Sequence, residues 1–473
     1  MKITFGTSGW RAIIAKDFTF DNVRLVSQAI ADYIYSINAQ DKGIIITSDT
    51  RFLGEQFREF SAQILAANGI KVFLTKRDTP TPVCSHEIIR RKTAGGINFT
   101  ASHNPPFYQG IKYSPSSGAP APPEVTKWIE QRVQEIMNKP TNLELKSLQE
   151  LEQTNLVEMI DPQTEYLKTI KKYIDFQIIK KSKLNIIYDC MHGTGRDYLD
   201  KILRQNGCKV EILNNNIDPY FGGVAPEPAK HNISELIKKV KSTKNSFGVG
   251  TDGDADRFGF VDFDGSCMDA NFIIALLFDY IITHKKWSGS VVRTLATTHL
   301  IDSIAYKNNI KLHDVPVGFK YIGEIMQKED ILIGGEESGG LTVHHHIPEK
   351  DGILACLLVI EMVARTKKSL KELLANVYKK YGTFYTARLN LHLDDVVKNK
   401  LLTFFHEQTP TEINNLQVSQ IDNRDGVKTI LADGSWILMR LSGTEPIVRF
   451  YIEAKSKKQL EELKTYAIKL LDQ

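Results

Sequence analysis

The chain has 473 residues, 42% of them hydrophobic, with 60 basic against 56 acidic side chains. That length exceeds one ordinary core and sets a prior of about three domains, with four possible. The near-balanced charge of +4 argues against a nucleic-acid binder, yet it leaves room for a locally positive pocket that takes a small anion.

Cys84, Cys190, Cys208, Cys267 and Cys356 are widely spaced with no CxxC pair, so they read as buried free thiols rather than a zinc knuckle. The start, MKITFGTSGWRA, has no apolar signal core. The longest apolar stretch, Ile353 to Val363, is broken by Glu361 and falls short of a membrane span. A cytoplasmic protein with no membrane partner is expected.

In chain order, a β-branched run, a glycine-containing turn and an amphipathic segment recur three times. Ile44 to Thr47 reads as a buried strand; Ser48-Asp49-Thr50-Arg51 turns into a helix over Gly54 to Asn68, and Lys71 to Leu74 is the next strand. In the second unit Leu184 to Tyr188 is a strand, Tyr198 to Gln205 a helix and Lys209 to Leu213 a strand. In the third these are Ser290 to Thr294, His299 to Lys307 and Lys311 to Asp314. The charged stretch from Gln131 to Thr154 reads as helix and connector. The last 90 or so residues differ: Phe384 to Leu391, Trp436 to Leu441 and Ile447 to Glu453 look like strands, Val397 to His406 and Lys457 to Leu471 like helices. The alternation predicts α/β layers with ligands at the C-terminal strand ends, followed by a smaller α+β unit. Boundaries are expected near 155, 265 and 380.

Four segments carry chemistry. In Thr100-Ala101-Ser102-His103-Asn104-Pro105-Pro106 a hydroxyl and an imidazole sit side by side where the prolines forbid helix interior or central strand. Ser102 there is a nucleophile, a phosphate carrier or an ordinary turn serine. In Gly250 to Gly259, Asp252, Asp254 and Asp256 stand at i, i+2 and i+4 on a tight loop and can turn onto one divalent ion. Oxygen-only ligands favour magnesium, and Arg257 would face the same pocket to grip a phosphoryl oxygen. An EF-hand is excluded, because Phe258 and Phe260 arrive where its loop would continue.

In Gly334-Gly335-Glu336-Glu337-Ser338-Gly339-Gly340, two carboxylates and a hydroxyl between glycines suit recognition of vicinal sugar hydroxyls; a solvated glycine-rich turn is the rival. Val317-Gly318-Phe319-Lys320 could add a cation to the same cleft. The run His344-His345-His346 cannot easily converge on one ion and is expected as strand or loop near the surface. In Arg440-Leu441-Ser442-Gly443-Thr444-Glu445-Pro446, with Arg449 beyond, backbone N–H groups, two hydroxyls and two arginines suggest a phosphate nest rather than a Walker loop.

Together with Gly6-Thr7-Ser8-Gly9-Trp10-Arg11, these four segments resemble, in family order and over nearly the whole chain, the alpha-D-phosphohexomutases, which include phosphoglucomutases and phosphomannomutases. The resemblance implies three related mixed α/β domains plus a smaller C-terminal α+β domain around a central cleft. The expected divisions are 1–155 for the phosphoserine, 156–265 for the metal, 266–380 for the sugar and 381–473 for the phosphate. It implies that Ser102 carries the phosphoryl group and, with Asp252, Asp254 and Asp256, holds Mg2+. Arg11, His103 and Lys112 would surround the reacting phosphate and handle protons. Arg257, Gly318, Lys320, Glu336 and Ser338 would contact substrate, and Arg440, Ser442, Gly443, Thr444 and Arg449 the non-reacting phosphate.

Two departures stand out. Ala255 replaces the family's usual glycine, a change expected to be tolerated if the backbone angle there is ordinary. Gly340 stands where many bifunctional phosphomannomutases have a proton-transferring histidine, so that role must pass elsewhere or be dispensable. The double glutamate is closer to phosphoglucomutases, and the glutamine-containing loop of phosphoglucosamine mutases is absent. The expected partners are therefore small sugar phosphates, with glucose 1,6-bisphosphate as activating intermediate and oligomeric state open. A magnesium-dependent phosphatase, a kinase and a sugar-phosphate sensor are the rivals; no nucleotide cradle supports the kinase.

Overall fold

The computed structural model describes residues 3–6, 8–138, 143–392, 410–441 and 447–470. Four sheets follow one another along the chain. The first contains β1 (Trp10–Ile13), β2 (Ile44–Ser48), β3 (Val72–Thr75), β4 (Gly95–Phe99), β5 (Tyr108–Pro115) and β6 (Val157–Ile160) in the order β1-β5-β4-β2-β3-β6. The second orders β7 (Asn185–Asp189), β8 (Lys209–Leu213), β9 (Ser246–Thr251), β10 (Phe258–Val261) and β11 (Cys267–Met268) as β11-β10-β9-β7-β8. The third orders β12 (Ser290–Thr294), β13 (Leu312–Val315), β14 (Ile331–Glu336) and β15 (Gly340–Val343) as β13-β12-β14-β15. Both β6 and β11 lie a few residues beyond the divisions expected at 155 and 265, because each returns to close an edge of the preceding sheet.

These three sheets repeat one plan, and the plan positions the chemistry. In each, two strands run parallel (β2 with β4, β7 with β9, β12 with β14), and the second of them turns back into an antiparallel neighbour (β5, β10, β15). Parallel strands buried on both faces need continuous apolar runs, and Ile44-Ile45-Ile46 and Ile331-Leu332-Ile333 supply them. The three turning points carry the Ser102 loop, the aspartate loop and the glutamate loop. One topological position is thus used three times, outside the carboxyl ends of central strands where open sheets place ligands.

The apolar run at 353–363 is the helix Gly352–Thr366, in which every residue from Gly352 to Ala364 is buried. It is apolar all round because it is covered all round, by the second and third domains whose side chains form one continuous core with it. Its Glu361 is fully buried and accepts from Tyr280 Oη at 2.6 Å, Lys285 Nζ at 2.7 Å and the Asp175 N–H at 2.8 Å. No helix among the described residues is long and apolar enough to cross a membrane. Cys84, Cys190, Cys208 and Cys356 are buried free thiols, and Cys267 is half-buried.

The fourth sheet is antiparallel: β16 (Tyr385–His392), β17 (Glu412–Ile413), β18 (Leu416–Asp422), β19 (Val427–Leu431), β20 (Trp436–Leu441) and β21 (Ile447–Ala454), with the helix Lys457–Lys469 against it. The helix expected over Val397 to His406 lies outside the described residues. The sheet docks on the third domain through a buried polar group. Lys428 Nζ donates to Leu295 O at 2.6 Å, lies 2.9 Å from His299 Nε2 and stands 3.9 Å over the Trp436 ring. Glu453 accepts from Trp436 Nε1 at 2.8 Å and from Thr298 Oγ1.

Burial, followed by the charge of Arg293, pushes the Lys428 ammonium down to about 7. Its folded value is below its unfolded one, so the unfolded chain binds the proton between them and stability rises with pH across that window. Lys428→Met is expected to remove a rise of at most about 1.4 kcal/mol per pH unit between pH 7 and 9. Denaturant melts of both proteins at those pH values would check it.

Candidate active site

The Ser102 loop leaves β4 at Phe99 and rejoins the sheet at Tyr108. Ser102 is 1% exposed and takes a left-handed backbone angle, φ +50°. An L-residue pays about 1 kcal/mol or more for that conformation, so neighbouring contacts must impose it. Its N–H donates to Thr100 Oγ1 at 2.8 Å, and Thr100 Oγ1 donates to Asp49 Oδ2 at 2.6 Å. The consequence is on the other side: Ser102 Oγ donates to Asp252 Oδ2 at 2.8 Å, across the junction with the second domain.

The aspartate loop after β9 presents Asp252, Asp254 and Asp256, all buried, with one carboxylate oxygen of each within 4.8 Å of the others. It is the one such group of potential metal ligands among the described residues. The first domain reaches into it. Lys112 Nζ donates to Asp254 Oδ2 at 2.6 Å and to Asp256 Oδ2 at 2.9 Å, and Thr81 Oγ1 donates to Asp254 Oδ2 at 2.6 Å. Asp254 Oδ1 and Asp256 Oδ1 are buried with no hydrogen-bond partner. Two orphaned carboxylate oxygens beside a third carboxylate are hard-cation ligands waiting for their charge, so the residues fit a divalent ion.

Electrostatics separates the three acids. Burial raises Asp252 well above the usual carboxylate range, and the charges of Asp254 and Asp256 add to it. Burial also opposes ionisation of Asp254, but the charge and hydrogen bond of Lys112 outweigh it and lower the carboxyl. Ala255 is the residue where the sequence departed from glycine, and its backbone is not ordinary: φ is +56°. The methyl group is accommodated in that left-handed turn, which is pinned by the Ala255 N–H on Asp252 O at 3.0 Å and the Gly352 N–H on Ala255 O at 3.1 Å.

Cations line the cleft beside Ser102. Arg11 Nη1 donates to Asn104 Oδ1 at 2.6 Å, and burial followed by the charge of Arg257 brings Arg11 down to about 10. The Arg257 N–H donates to Asp252 Oδ1 at 2.9 Å. His103 Nδ1 lies 3.4 Å from Ser102 Oγ, and burial, then Arg257, Arg11, Arg388 and Arg51, holds the imidazole well below its ordinary value. It is therefore neutral at pH 7. Lys112 is the opposite case: burial disfavours its charge, but Asp254 and Asp256 raise it above the ordinary lysine value.

In the third loop Ser338 Oγ donates to Glu336 Oε1 at 2.7 Å, and Thr294 Oγ1 donates to Glu337 Oε2 at 3.4 Å. A Cβ on Gly340 would lie 2.2 Å from Lys350 Cδ, so the glycine goes with a lysine stem laid across it. Lys350 Nζ reaches Asp256 Oδ2 at 3.3 Å and Glu349 Oε1 at 3.0 Å. Space that a side chain at 340 would take is thus filled by a buried cation. Arg440 and Arg449 are register partners on β20 and β21, and Arg440 Nε donates to Asp425 Oδ1 at 2.9 Å. The other oxygen of Asp425 accepts from the Val317 N–H at 2.9 Å, which ties the turn at Gly318, and the helix Phe319–Met326 that carries Lys320, to the arginine strand. Ser442, Gly443 and Thr444 lie outside the described residues.

The triple histidine follows β15, with one correction: His346 is not near the surface. Its ring is buried and pairs with Asp351 Oδ2 at 2.7 Å, while His345 is exposed. Sequence reasoning also passed over Arg51, Thr81, Lys350 and Arg388. The available signal for Lys350 was Glu349-Lys350-Asp351, three charges directly before a largely apolar helix. For Arg51 it was a basic residue in the turn after an all-buried strand.

Family models described as phosphoglucomutase/phosphomannomutase alpha/beta/alpha domains I, II and III match residues 2–140, 164–265 and 269–381, and the C-terminal domain of the same series matches 396–470. The chain belongs to the phosphoglucomutase/phosphomannomutase family. Among alpha-D-phosphohexomutases, it is 30% identical to a phosphoglucomutase/phosphomannomutase of Thermococcus kodakarensis, over 99% of this chain and 98% of that one. It is 29% identical to a phosphoglucosamine/phosphogalactosamine mutase of Sulfurisphaera tokodaii, over 96% and 95%. A Paramecium phosphoglucomutase, parafusin, solved in an open form superposes with a TM-score of 0.83 at 25% identity, covering 99% of this chain and 94% of that one. The chain is a phosphohexomutase, and its relatives differ in the sugar they are named for.

Proposed function

We propose that this phosphohexomutase interconverts glucose 1-phosphate and glucose 6-phosphate through phosphorylated Ser102 and glucose 1,6-bisphosphate. The observation that carries the reading is the 2.8 Å hydrogen bond from Ser102 Oγ to Asp252. It joins a hydroxyl held in a left-handed turn to three converging carboxylates. Bound there by Asp252, Asp254 and Asp256 together with Ser102, Mg2+ would neutralise charge on the transferring phosphoryl group.

The chain's own groups do the rest. As the sugar hydroxyl attacks phospho-Ser102, a bond from phosphorus to the sugar oxygen forms while that to Ser102 Oγ breaks. Arg11, Arg257 and Lys112 stand where negative charge accumulates on the phosphoryl oxygens. Of His103 and Lys112, neutral His103 can take the sugar hydroxyl's proton, whereas Lys112 is a paired cation. Glu336 and Ser338 hold sugar hydroxyls, with Gly318 and Lys320 at the rim. Arg440 and Arg449, with Ser442, Gly443 and Thr444, bind whichever phosphate is not reacting, so either sugar orientation is accepted. The intermediate turns over, and its other phosphate returns to Ser102.

Glucose is favoured by the Glu336-Glu337 pair and by Gly340 with Lys350 across it, in place of a histidine. The relative named for both glucose and mannose keeps a bifunctional enzyme as the second reading. Initial rates on the 1-phosphates of glucose, mannose and glucosamine, with magnesium and glucose 1,6-bisphosphate, would decide. Glucose is expected to lead in kcat/KM by tenfold or more, roughly 1.4 kcal/mol of discrimination. A faster mannose or glucosamine reaction would reject glucose and keep the mutase; steady release of inorganic phosphate would reject the mutase.

A further inference from the structure

Arg51 does not reach the cleft, and its side chain is fully buried. Its five N–H donors meet five acceptors. Nε donates to Asp49 Oδ2 at 3.1 Å, Nη1 to Pro105 O at 2.8 Å and Tyr108 O at 3.0 Å, and Nη2 to Ser102 O and Asn104 O, both at 2.6 Å. Four of these are backbone carbonyls, three in the Ser102 loop and the fourth at Tyr108, where the chain re-enters the sheet as β5. Only a planar guanidinium can serve so many from one point.

The same unit holds the other side of Ser102. Asp49 Oδ1 accepts from the Arg51 N–H at 2.9 Å, its Oδ2 accepts from Thr100 Oγ1 at 2.6 Å, and Thr100 Oγ1 accepts from the Ser102 N–H at 2.8 Å. The N–H and the C=O of Ser102 are therefore both tied to one Asp49–Arg51 pair. Phe221 from the second domain closes the assembly, its ring 5.0 Å from Arg51 Cζ. Ser102 needs such a frame because its left-handed angle is unfavourable for a serine. Released, the loop would relax toward an ordinary angle and carry Oγ away from Asp252.

We propose that Arg51 is a positioning residue for phosphoryl transfer, acting through the Ser102 backbone to aim its Oγ at the aspartate loop. The inference rests on the reading of Ser102 as the phosphate carrier. A lysine would keep the charge but could bond at most three of the five acceptors, so geometry and charge are separable by substitution.

Arg51→Lys is expected to lower kcat roughly a hundredfold with KM within about threefold, the size of effect a displacement near 1 Å produces. Thr100→Val, which keeps the shape and the buried cation but cuts the tie to the Ser102 N–H, is expected to lower kcat about tenfold with KM likewise unchanged. Guanidinium chloride at low concentration should partly restore kcat to Arg51→Ala, a rescue that loss of fold alone would not show. A folded Arg51→Lys or Thr100→Val with wild-type kcat, or a loss confined to KM, overturns the proposal. If Arg51→Lys does not fold, the Thr100→Val result decides. The carrier reading is tested separately by the intact mass of wild-type protein after glucose 1,6-bisphosphate: absence of a single added phosphate would overturn that reading, whatever Arg51 does.

Discussion

Ser102→Ala is expected to lower mutase turnover by about 10⁴-fold or more while leaving glucose 6-phosphate binding measurable. Removing the oxygen that accepts and returns the phosphoryl group leaves the aspartates, Lys112 and both arginine sites in place. Binding and chemistry should therefore separate: Kd within a few-fold, kcat near zero. The neighbouring hydroxyl cannot substitute, because Thr100 Oγ1 already donates to Asp49 and accepts from the Ser102 N–H. The alanine would inherit the left-handed φ of +50° that the serine already adopts, so the angle itself adds no new cost. Turnover within tenfold of wild type would sink the phosphoserine mechanism. Lost binding together with lost turnover would instead mean that the loop had collapsed.

The parts of this site that could be read from sequence are those whose chemistry is local. Asp252, Asp254 and Asp256 announce themselves because three like charges within five residues need a counter-charge, and the structure leaves two of their oxygens without a partner. The turn after β4 was legible from Asn104 and the two prolines that follow it, and those after β9 and β14 because apolar residues run straight into glycine and acidic ones. Their equivalence was not, since it lies in which strands run parallel, and that is a property of pairing. The strands β17 and β18 of the fourth sheet were missed for a related reason. Leu416–Asp422 is mostly exposed and polar, and only its pairing with β19 on one side and the short β17 on the other makes it a strand. Arg51 and Lys350 were missed because their local signals, a basic residue in a turn after a buried strand and a charged run before a helix, do not say which distant groups a long-range fold will set around them. Ala255 shows the converse: the alanine was expected to be tolerated at an ordinary angle, and the loop holds it at a left-handed one.

Asp252→Asn and Asp254→Asn should abolish magnesium-dependent turnover alike, by roughly 10²–10³-fold, yet shift the stability of magnesium-free protein in opposite directions. Asp252 faces the Ser102 hydroxyl and the Arg257 N–H, whereas Asp254 holds the Lys112 ammonium. Asp252 has a folded carboxyl raised by burial and then by its two acidic neighbours, so between the unfolded and folded values the native state binds more protons. Its contribution to stability therefore falls as pH rises through that window, and ionising it is a burden that asparagine removes. Asp254 is lowered, the opposite sign: its contribution is present above the unfolded carboxylate value and is lost as pH falls through the folded one. Asparagine there leaves the buried Lys112 with one fewer carboxylate. Without magnesium, Tm is expected to rise by roughly 2–4 °C in Asp252→Asn and to fall by at least as much in Asp254→Asn. With magnesium, the wild type should gain stability and neither variant should gain as much. Thermal melts with EDTA and across a magnesium titration would test both halves. Shifts of the same sign without the ion, or equal protection by it, would reject the division of labour among the three aspartates.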